Sequence, residues 1–366
     1  MSLNTNARDE LIYWIALKQV EGVGNVFYKR LIASFHNARA VFSASAEELG
    51  QVEGISGTVV SRIRRFRAFD EAKEELNRIK QQKADIITLN DARYPELLKQ
   101  ISDPPPYLYA RGMPDTPLQG PCVAIVGTRF PSAYGENITR EIASALTGEG
   151  FTIVSGMAKG IDSIAHKTAI KHKGRTIAVW GTGINRIYPP ENKQLAQDIA
   201  KYGLILTEYP AGTPPLDVNF PERNRIISGL SVAVIVTEAS LNSGTMITVS
   251  HALDQGREVF AVPGQIHSMM SQGTNRLIKQ VGNMVDSVDN LVREIKACMP
   301  AERDKKTVMP ESHACILSIL SGEPVDLDTV IARSKFDTSK VMSILTEMEL
   351  TGVVKQLPGQ RFVKME

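Results

Sequence analysis

The feature that most restricts the fold is a repeated unit in which an apolar run ends at once in a glycine turn. It occurs three times, in VAIVGTR from Val123, FTIVSGMAKGID from Phe151 and TIAVWGTG from Thr176. Runs rich in Val and Ile suit strands buried on both faces, and glycine lets the backbone turn sharply into a helix. From about Cys122 to Ala297 such strands alternate with helical segments. This predicts an α/β fold with a Rossmann-like, doubly wound, mostly parallel sheet of six or seven strands.

A fourth stretch, from Phe220 to Gly264, combines a basic loop, two apolar strands and a Ser-Gly-Thr helix start. Loops after the carboxyl ends of parallel strands meet at one edge of the sheet, where helix N-termini offer unpaired amides to anions. The cations in these loops are Arg129, Lys159, Arg223 and Arg225. The sequence therefore predicts a phosphate-handling surface rather than a catalytic triad.

Composition limits the class of protein. With 366 residues, 43% hydrophobic and 22% charged, the chain has the make-up of a globular protein of two or three domains. A net charge of +2 gives little long-range attraction, so nucleic-acid binding requires a local basic patch. The three cysteines indicate neither a disulfide framework nor a zinc site. Asp9 and Glu10 precede the first apolar segment and no long uncharged run follows, which predicts a cytoplasmic protein without a membrane span.

Pattern changes along the chain predict four regions. Residues 1–85 have helical periodicity, and residues 86–298 hold the sheet with its lead-in, in which Tyr107 to Tyr109 form an edge strand or pack on the next domain. A charged, proline-flanked linker follows at 299–310. Residues 311–366 have the outline of a winged helix, with Ser339 and Lys340 where a recognition helix begins. That last piece has few cations, so contact with DNA and contact with protein both stay open.

The helical region contains a weak internal repeat. VEGVGNVFYKRL from Val20 is echoed by VEGISGTVVSRI from Val52, which indicates two copies of one supersecondary unit. The pattern resembles tandem helix-hairpin-helix motifs, whose hairpin amides contact nucleic-acid phosphates without reading sequence. Glycines that merely cap helices explain the same residues equally well.

The sheet carries no recognisable cofactor motif. The turn after the first strand lacks G-x-G-x-x-G, and a Walker lysine is missing, which argues against dinucleotide binding and P-loop hydrolysis. Glu208 and Glu238 are the plausible general bases, but neither has a partnered nucleophile. Asp162 and His166, four residues apart, are interpreted as a pair that stabilises its helix. We therefore predict no catalytic residues, no metal and no cofactor.

Several long motifs resemble one family, the DNA-processing protein A (DprA, also called Smf) family. The matching stretches, in family order, are VAIVGTRFPSAYG, VSGMAKGIDSIAH, TIAVWGTGINRIYPPEN, NFPERNRIISGLS, TEASLNSGTMIT and GREVFAVPG followed by GTNRLI. The resemblance implies a non-enzymatic, homodimeric protein of natural transformation. Such a protein binds incoming single-stranded DNA, protects it and loads the RecA recombinase onto it.

The resemblance also implies site residues by position. The phosphate contacts are Arg129, Lys159, Arg223 and Arg225. Amides and hydroxyls come from Gly127, Ser155, Gly156, Gly160, Ser243, Gly244 and Thr245. Asn219 and Asn224 contact base or sugar edges, and Phe220 either stacks on a base or packs in the core.

One enzymatic alternative has a similar sheet. The lonely-guy phosphoribohydrolases, which cleave the base from nucleoside monophosphates, carry a Pro-Gly-Gly-x-Gly-Thr run near a glutamate. The comparable segment here, Glu238 to Thr245, has one glycine before its threonine. This departure weakens the enzymatic reading, while Glu238 keeps it open.

Overall fold

The structure is a computed structural model that describes residues 5–113, 120–299, 311–320, 324–350, 353–357 and 359–364. The chain forms two compact units, residues 1–299 and residues 300–366. The expected linker at 299–310 lies, after residue 299, outside the described residues. Each unit is described by itself.

The first unit begins with a helical region. Its helices are α1 (Thr5–Gln19), α2 (Asn25–Phe35), α3 (Ala38–Ser43), α4 (Ala46–Gly50), α5 (Gly57–Arg65) and α6 (Phe69–Gln81). The two copies of the repeat form the turns between α1 and α2 and between α4 and α5. Gly22 has a φ of 92° and Gly54 a φ of 80°, a conformation that favours glycine at both turns. The repeat in the sequence therefore corresponds to a repeat in the structure.

The two copies hold each other through equivalent arginines. Arg30 of α2 donates to the carbonyl of Glu53 in the second turn at 2.7 Å. Arg62 of α5 donates to the carbonyl of Glu21 in the first turn at 3.4 Å. Each arginine follows the start of its own repeat by the same number of residues, so the contact is reciprocal.

The sheet has eight strands in the order β1-β2-β6-β5-β4-β3-β7-β8. The lead-in supplies β1 (Asp85–Thr88), α7 (Glu96–Lys99) and β2 (Tyr107–Gly112). The alternating part consists of β3 (Cys122–Val126), α8 (Ala133–Gly148), β4 (Thr152–Ser155), α9 (Ile161–Lys171), β5 (Thr176–Val179), α10 (Lys193–Tyr202), β6 (Leu204–Thr207), α11 (Asn219–Gly229), β7 (Ala233–Val236), α12 (Thr245–Asp254), β8 (Glu258–Ala261), α13 (Gln272–Val281) and α14 (Val288–Ala297). Strands β3 to β8 are parallel, and β1 and β2 pair in antiparallel fashion. The predicted doubly wound, mostly parallel sheet is confirmed.

The lead-in differs from expectation at the sheet edge. Tyr107 to Tyr109 lie in β2, which pairs with β1 on one side and with β6 on the other. The edge is instead β1, a four-residue strand that begins at Asp85. Its short apolar run, between a lysine-rich helix end and a polar turn, gives little signal in the sequence.

Both faces of the sheet are buried. Along β3, Val123 and Ile125 belong to one apolar cluster, and Ala124 and Val126 belong to the other. The cluster that contains Ala124 and Val126 also contains apolar side chains of the helical region, from Trp14 to Ile79. Residues of α1 to α6 therefore share a core with one face of the sheet.

The second unit is a small helical and stranded fold. Its elements are α15 (Glu311–Ile319), β9 (Val325–Asp326), α16 (Leu327–Ser334), α17 (Thr338–Leu350), β10 (Val354–Leu357) and β11 (Arg361–Lys364). The strands form an antiparallel sheet in the order β10-β11-β9. Ile316, Val330, Val341 and Phe362 lie in its apolar core. Three helices followed by a hairpin confirm the predicted winged helix.

Candidate nucleic-acid interface

A pocket of about 370 Å³ lies at the carboxyl ends of the parallel strands. Loops after β3, β4, β6 and β7 line it, and the strand order reverses at β3 and β7, which is where open α/β sheets bind ligands. We call it the rim pocket. The predicted site residues that line it are Gly127, Arg129, Phe220, Arg223, Asn224, Ser243, Gly244 and Thr245.

Arg129 is the exposed cation of the rim pocket. Its loop is fixed on both sides, because the Thr128 amide donates to the Glu238 carbonyl at 2.8 Å and the Phe130 amide donates to Thr128 Oγ1 at 3.2 Å. No residue in the described ranges forms a hydrogen bond or ion pair with the Arg129 guanidinium. A rigid turn therefore presents an unengaged positive charge to the pocket.

Arg223 is the second cation of the rim pocket, and it is almost fully buried at 6% exposure. Its Nη1 donates to the carbonyls of Gly156, at 2.9 Å, and Val179, and its Nε donates to Asn224 Oδ1 at 3.2 Å. Burial lowers the pKa of Arg223 to about 10, against the opposing effect of Asp162. An anion in the pocket would restore part of the stabilisation that this charge loses on leaving water.

Asp162 sits beside Arg223 and organises the turn after β4. Its Oδ2 accepts the amides of Gly156, at 3.1 Å, and Ala158, at 3.2 Å. Desolvation raises the pKa of Asp162 even though Arg223 and these amides lower it. The Gly156 amide is therefore occupied within the protein. Ser155 is occupied too, because its Oγ donates to the Ile125 carbonyl at 2.7 Å.

The loop at the start of α12 supplies polar atoms to the rim pocket. Ser243 Oγ donates to Thr245 Oγ1 at 2.9 Å and accepts the Thr245 amide at 3.2 Å. Asn224 Nδ2 reaches the Gly244 carbonyl at 3.5 Å. Among the described residues we find no partner for the amide of Gly244, which stands exposed before the helix. That amide is the donor this helix start offers to an anion.

Phe220 lies at one wall of the rim pocket. Its ring packs against Tyr188 with centroids 5.4 Å apart, and the Arg223 guanidinium carbon lies 6.0 Å from its centre. The neighbouring Asn219 does not line the pocket; its side chain is buried and donates to the Gly181 carbonyl at 3.0 Å. Phe220 thus joins the pocket, and Asn219 supports the loop beneath it.

Lys159 and Gly160 lie outside the lining of the rim pocket. Lys159 is half-exposed and forms an ion pair with Glu191 at 2.5 Å. Gly160 has a φ of 74°, and a β-carbon there would come within 2.4 Å of the Thr128 carbonyl. The glycine therefore permits close contact between the β3 and β4 loops and is not itself a ligand group.

Arg225 does not join the other cations. Its guanidinium forms ion pairs with Glu208 at 2.6 Å and Asp103 at 2.9 Å, and its side chain is 8% exposed. It lines a larger, separate pocket of about 960 Å³ between the helical region and the sheet, which we call the acidic pocket. The carboxylates that line the acidic pocket are Glu75, Asp103, Glu208 and Glu222. Lys18, Arg78 and Arg225 also line it, but both arginines are paired with these carboxylates, so neither is offered to a phosphate.

The two candidate general bases have structural partners. Glu208 pairs with Arg225, as above. Glu238 is buried; its Oε1 accepts Ser132 Oγ at 2.6 Å and its Oε2 accepts the Ser132 amide at 2.8 Å. Glu238 does not line the rim pocket. Its environment is that of a group that anchors the start of α8, which does not favour the phosphoribohydrolase alternative.

His166 bonds to a strand rather than to Asp162. Its Nδ1 lies 2.6 Å from Thr176 Oγ1 on β5. Burial lowers the pKa of His166 to about 3, so the ring is neutral at ordinary pH. The interpretation of Asp162 and His166 as a helix-stabilising pair is wrong, because each side chain is bonded elsewhere.

Some residues that line the rim pocket were not predicted as site residues from the sequence. They include Thr128, Phe130, Asp162 and Thr248. Phe130 had a visible signal, since it directly follows Arg129 in the glycine turn. Within the described ranges, no helix is long and apolar enough to cross a membrane, and no cluster of three metal-ligating side chains occurs.

Fold and site together define a class of protein: an open α/β sheet with a ligand pocket that contains two arginines at its topological switch point, followed by a winged helix. The family model described as DNA recombination-mediator protein A matches residues 85–296, and the DprA winged helix domain matches residues 299–360. The chain belongs to the DprA/Smf family of DNA-processing proteins.

Individual relatives agree over most of the chain. Protein Smf of Synechocystis sp. is 37% identical over 97% of this chain and 99% of its own length. The X-ray structure of DNA processing protein A from Streptococcus pneumoniae is 35% identical, covers 77% of this chain and 97% of its own, and has a TM-score of 0.68. DNA processing protein A from Helicobacter pylori, a structure concerned with its single-stranded DNA binding mode, is 32% identical over 59% of this chain and 96% of its own, with a TM-score of 0.53.

Proposed function

We propose that this protein binds single-stranded DNA through the rim pocket, protects it, and passes it to a RecA-type recombinase. The observation that carries the proposal is the pair of arginines at the switch point. Arg129 is exposed without a protein partner in the described ranges, and Arg223 is buried at the same pocket. A phosphate would engage the first charge and compensate the second.

The small volume of the rim pocket favours a single strand over a duplex as its ligand. The rim pocket is a recess of about 370 Å³, at the small end of the range for ligand pockets. A flexible single strand can place one nucleotide in such a recess, whereas a duplex keeps its bases paired and its backbone stiff. The Helicobacter pylori relative, whose structure concerns single-stranded DNA binding, supports the same ligand.

The recombination role rests on the family. The matched model is that of a recombination mediator, which supports transfer of the bound strand to a RecA-type protein. We also propose that the protein forms homodimers through the sheet unit, as the family resemblance implies, and that it is cytoplasmic. A direct test is whether the protein restores RecA ATPase activity on DNA precoated with a single-strand binding protein.

Fluorescence anisotropy with labelled single-stranded and double-stranded oligonucleotides at several salt concentrations tests the binding. We expect a preference for the single strand. Arg129→Ala should weaken binding and should make the negative slope of log K against log salt less steep by about 0.7. Arg140→Ala is the matched control, because Arg140 is exposed on α8 and pairs with Glu136 away from the pocket. Equal binding by Arg129→Ala and the wild type would remove the rim pocket as the DNA site.

A further inference from the structure

One apolar residue of the rim pocket has no role in the proposed phosphate contacts. Phe130, which lines the pocket next to Arg129, is 76% exposed. A single exposed apolar side chain is common on protein surfaces, so the meaning of Phe130 depends on what lies beside it. Its backbone amide is fixed by Thr128 Oγ1, so the ring projects from a rigid turn.

A second exposed segment is attached to the same turn at one point and to the first turn of α8 at another. Thr128 Oγ1 contacts Met270 Sδ at 3.6 Å, and the Tyr134 hydroxyl donates to the Pro263 carbonyl at 3.0 Å. Between these attachments the chain exposes Ile266 at 77% and Met269 at 69%. With Phe130, these have the largest exposed fractions of any large apolar side chain in the described ranges. We call Phe130, Ile266 and Met269 the apolar ledge.

The charge around the ledge selects its partner. The segment TRFPSAY carries one charged side chain, that of Arg129, and the segment GQIHSMM carries no carboxylate. An apolar surface beside an unengaged cation complements a ligand in which anionic groups alternate with planar apolar ones. Single-stranded nucleic acid has that composition, since each nucleotide joins a phosphate to a base with a π-face.

We propose that the apolar ledge is a base-stacking platform, on which a base adjacent to the phosphate held by Arg129 stacks against the ring of Phe130. Ile266 and Met269 extend the surface under the neighbouring base. The inference rests on the proposed function and adds to it the surface that holds the bases. Stacking on a π-face tolerates every base, so the platform contributes affinity without reading sequence.

The test compares Phe130→Ala with the wild type on oligo-dT and on an abasic oligonucleotide of equal length. On oligo-dT we expect about tenfold weaker binding, with the salt slope unchanged because no phosphate contact is lost. On the abasic strand the two proteins should bind alike. Tyr202→Ala is the matched control. Tyr202 is 49% exposed at the end of α10, just before β6, and so lies at the amino ends of the parallel strands, opposite the rim pocket.

A second variant gives a readout that does not depend on affinity. The native tryptophans, Trp14 and Trp180, are both 2% exposed, so Phe130→Trp introduces an exposed indole. Its fluorescence should be quenched by oligo-dT and left unchanged by the abasic strand.

Different results overturn different claims. Phe130→Ala binding oligo-dT as tightly as the wild type, or losing affinity equally on the abasic strand, would refute the platform alone. A shift of Phe130→Ala to a smaller oligomer in light scattering, with DNA affinity retained, would assign the ledge to a second copy of the chain and also refute it. A wild type that binds neither oligonucleotide would refute the proposed function itself.

Discussion

Arg129, Arg223 and Arg225 show how one residue type takes three roles within one region. Arg129 has no partner in the described part of the chain, Arg223 bonds to main-chain carbonyls, and Arg225 pairs with two carboxylates. Arg223 and Arg225 are two positions apart on α11, which places them about 200° apart around the helix. They consequently point into different pockets, although NFPERNR presents them as neighbours.

This difference predicts separate phenotypes for the two arginines. Arg225→Ala leaves the largely buried Glu208 without its cation, so we expect the free energy of unfolding to fall by about 3 kcal/mol. Single-stranded DNA affinity, measured below the unfolding transition, should stay within about twofold of the wild type. A twofold change in Kd is small beside the tenfold change that corresponds to about 1.4 kcal/mol of binding free energy.

Urea unfolding followed by tryptophan fluorescence measures the stability change, and Arg140→Ala, with an exposed ion pair, should cost less than about 1 kcal/mol. Loss of DNA affinity in a folded Arg225→Ala protein would place this arginine among the ligand contacts.

At the scale of single elements, the start of α8 depends on a residue from the loop after β7. Ser132 caps the helix by accepting the Gly135 amide at 3.1 Å, and its own amide and hydroxyl both donate to Glu238. The carboxylate therefore joins the end of β7 to the start of α8. A glutamate after a strand in TEAS does not reveal this partner, because the serine is 106 residues away.

Glu238→Gln turns one acceptor into a donor that faces the Ser132 donors. We expect it to lower the free energy of unfolding by about 1–3 kcal/mol and to leave single-stranded DNA binding unchanged. Glu141→Gln, exposed on the same helix, is the control and should change stability by less than about 0.5 kcal/mol. A nucleoside-monophosphate hydrolysis that the wild type shows and Glu238→Gln lacks would contradict this account and restore the enzymatic alternative.

The elements that were predicted correctly are those whose signal is local. The parallel strands are continuous apolar runs closed by glycine, and the alternation of strand and helix leaves few topologies. The convergence of Arg129, Asn224 and Ser243 at one edge follows from that topology alone. Strand β1 and the burial of Ser155 and Asn219 depend on main-chain partners distant in the chain, which periodicity does not report.

For the molecule as a whole, a buried histidine gives stability a pH dependence. The pKa of His166 falls from 6.5 to about 3 on folding, so the unfolded chain takes up a proton that the folded chain excludes. This contribution to stability is therefore complete above about pH 6.5 and is lost at about 1.4 kcal/mol per pH unit as the pH falls toward 3.

His166→Gln removes that proton uptake. The difference in unfolding free energy between wild type and variant should shrink as the pH is lowered from 7 to 5. Fluorescence of Trp14 and Trp180 reports on the first unit, because the chain has no other tryptophan. A difference that stays constant over this interval would mean that His166 is not excluded from protonation.

Pro221 lines both the rim pocket and the acidic pocket, so the first turn of α11 is a wall between two electrostatic environments. The charged residues that line the rim pocket are Arg129, Arg223, Asp162 and Asp217. Those that line the acidic pocket are the four carboxylates with Lys18, Arg78 and Arg225. Under the proposed function, this turn separates a strand bound beside Arg129 from a second recess whose arginines are already paired with carboxylates.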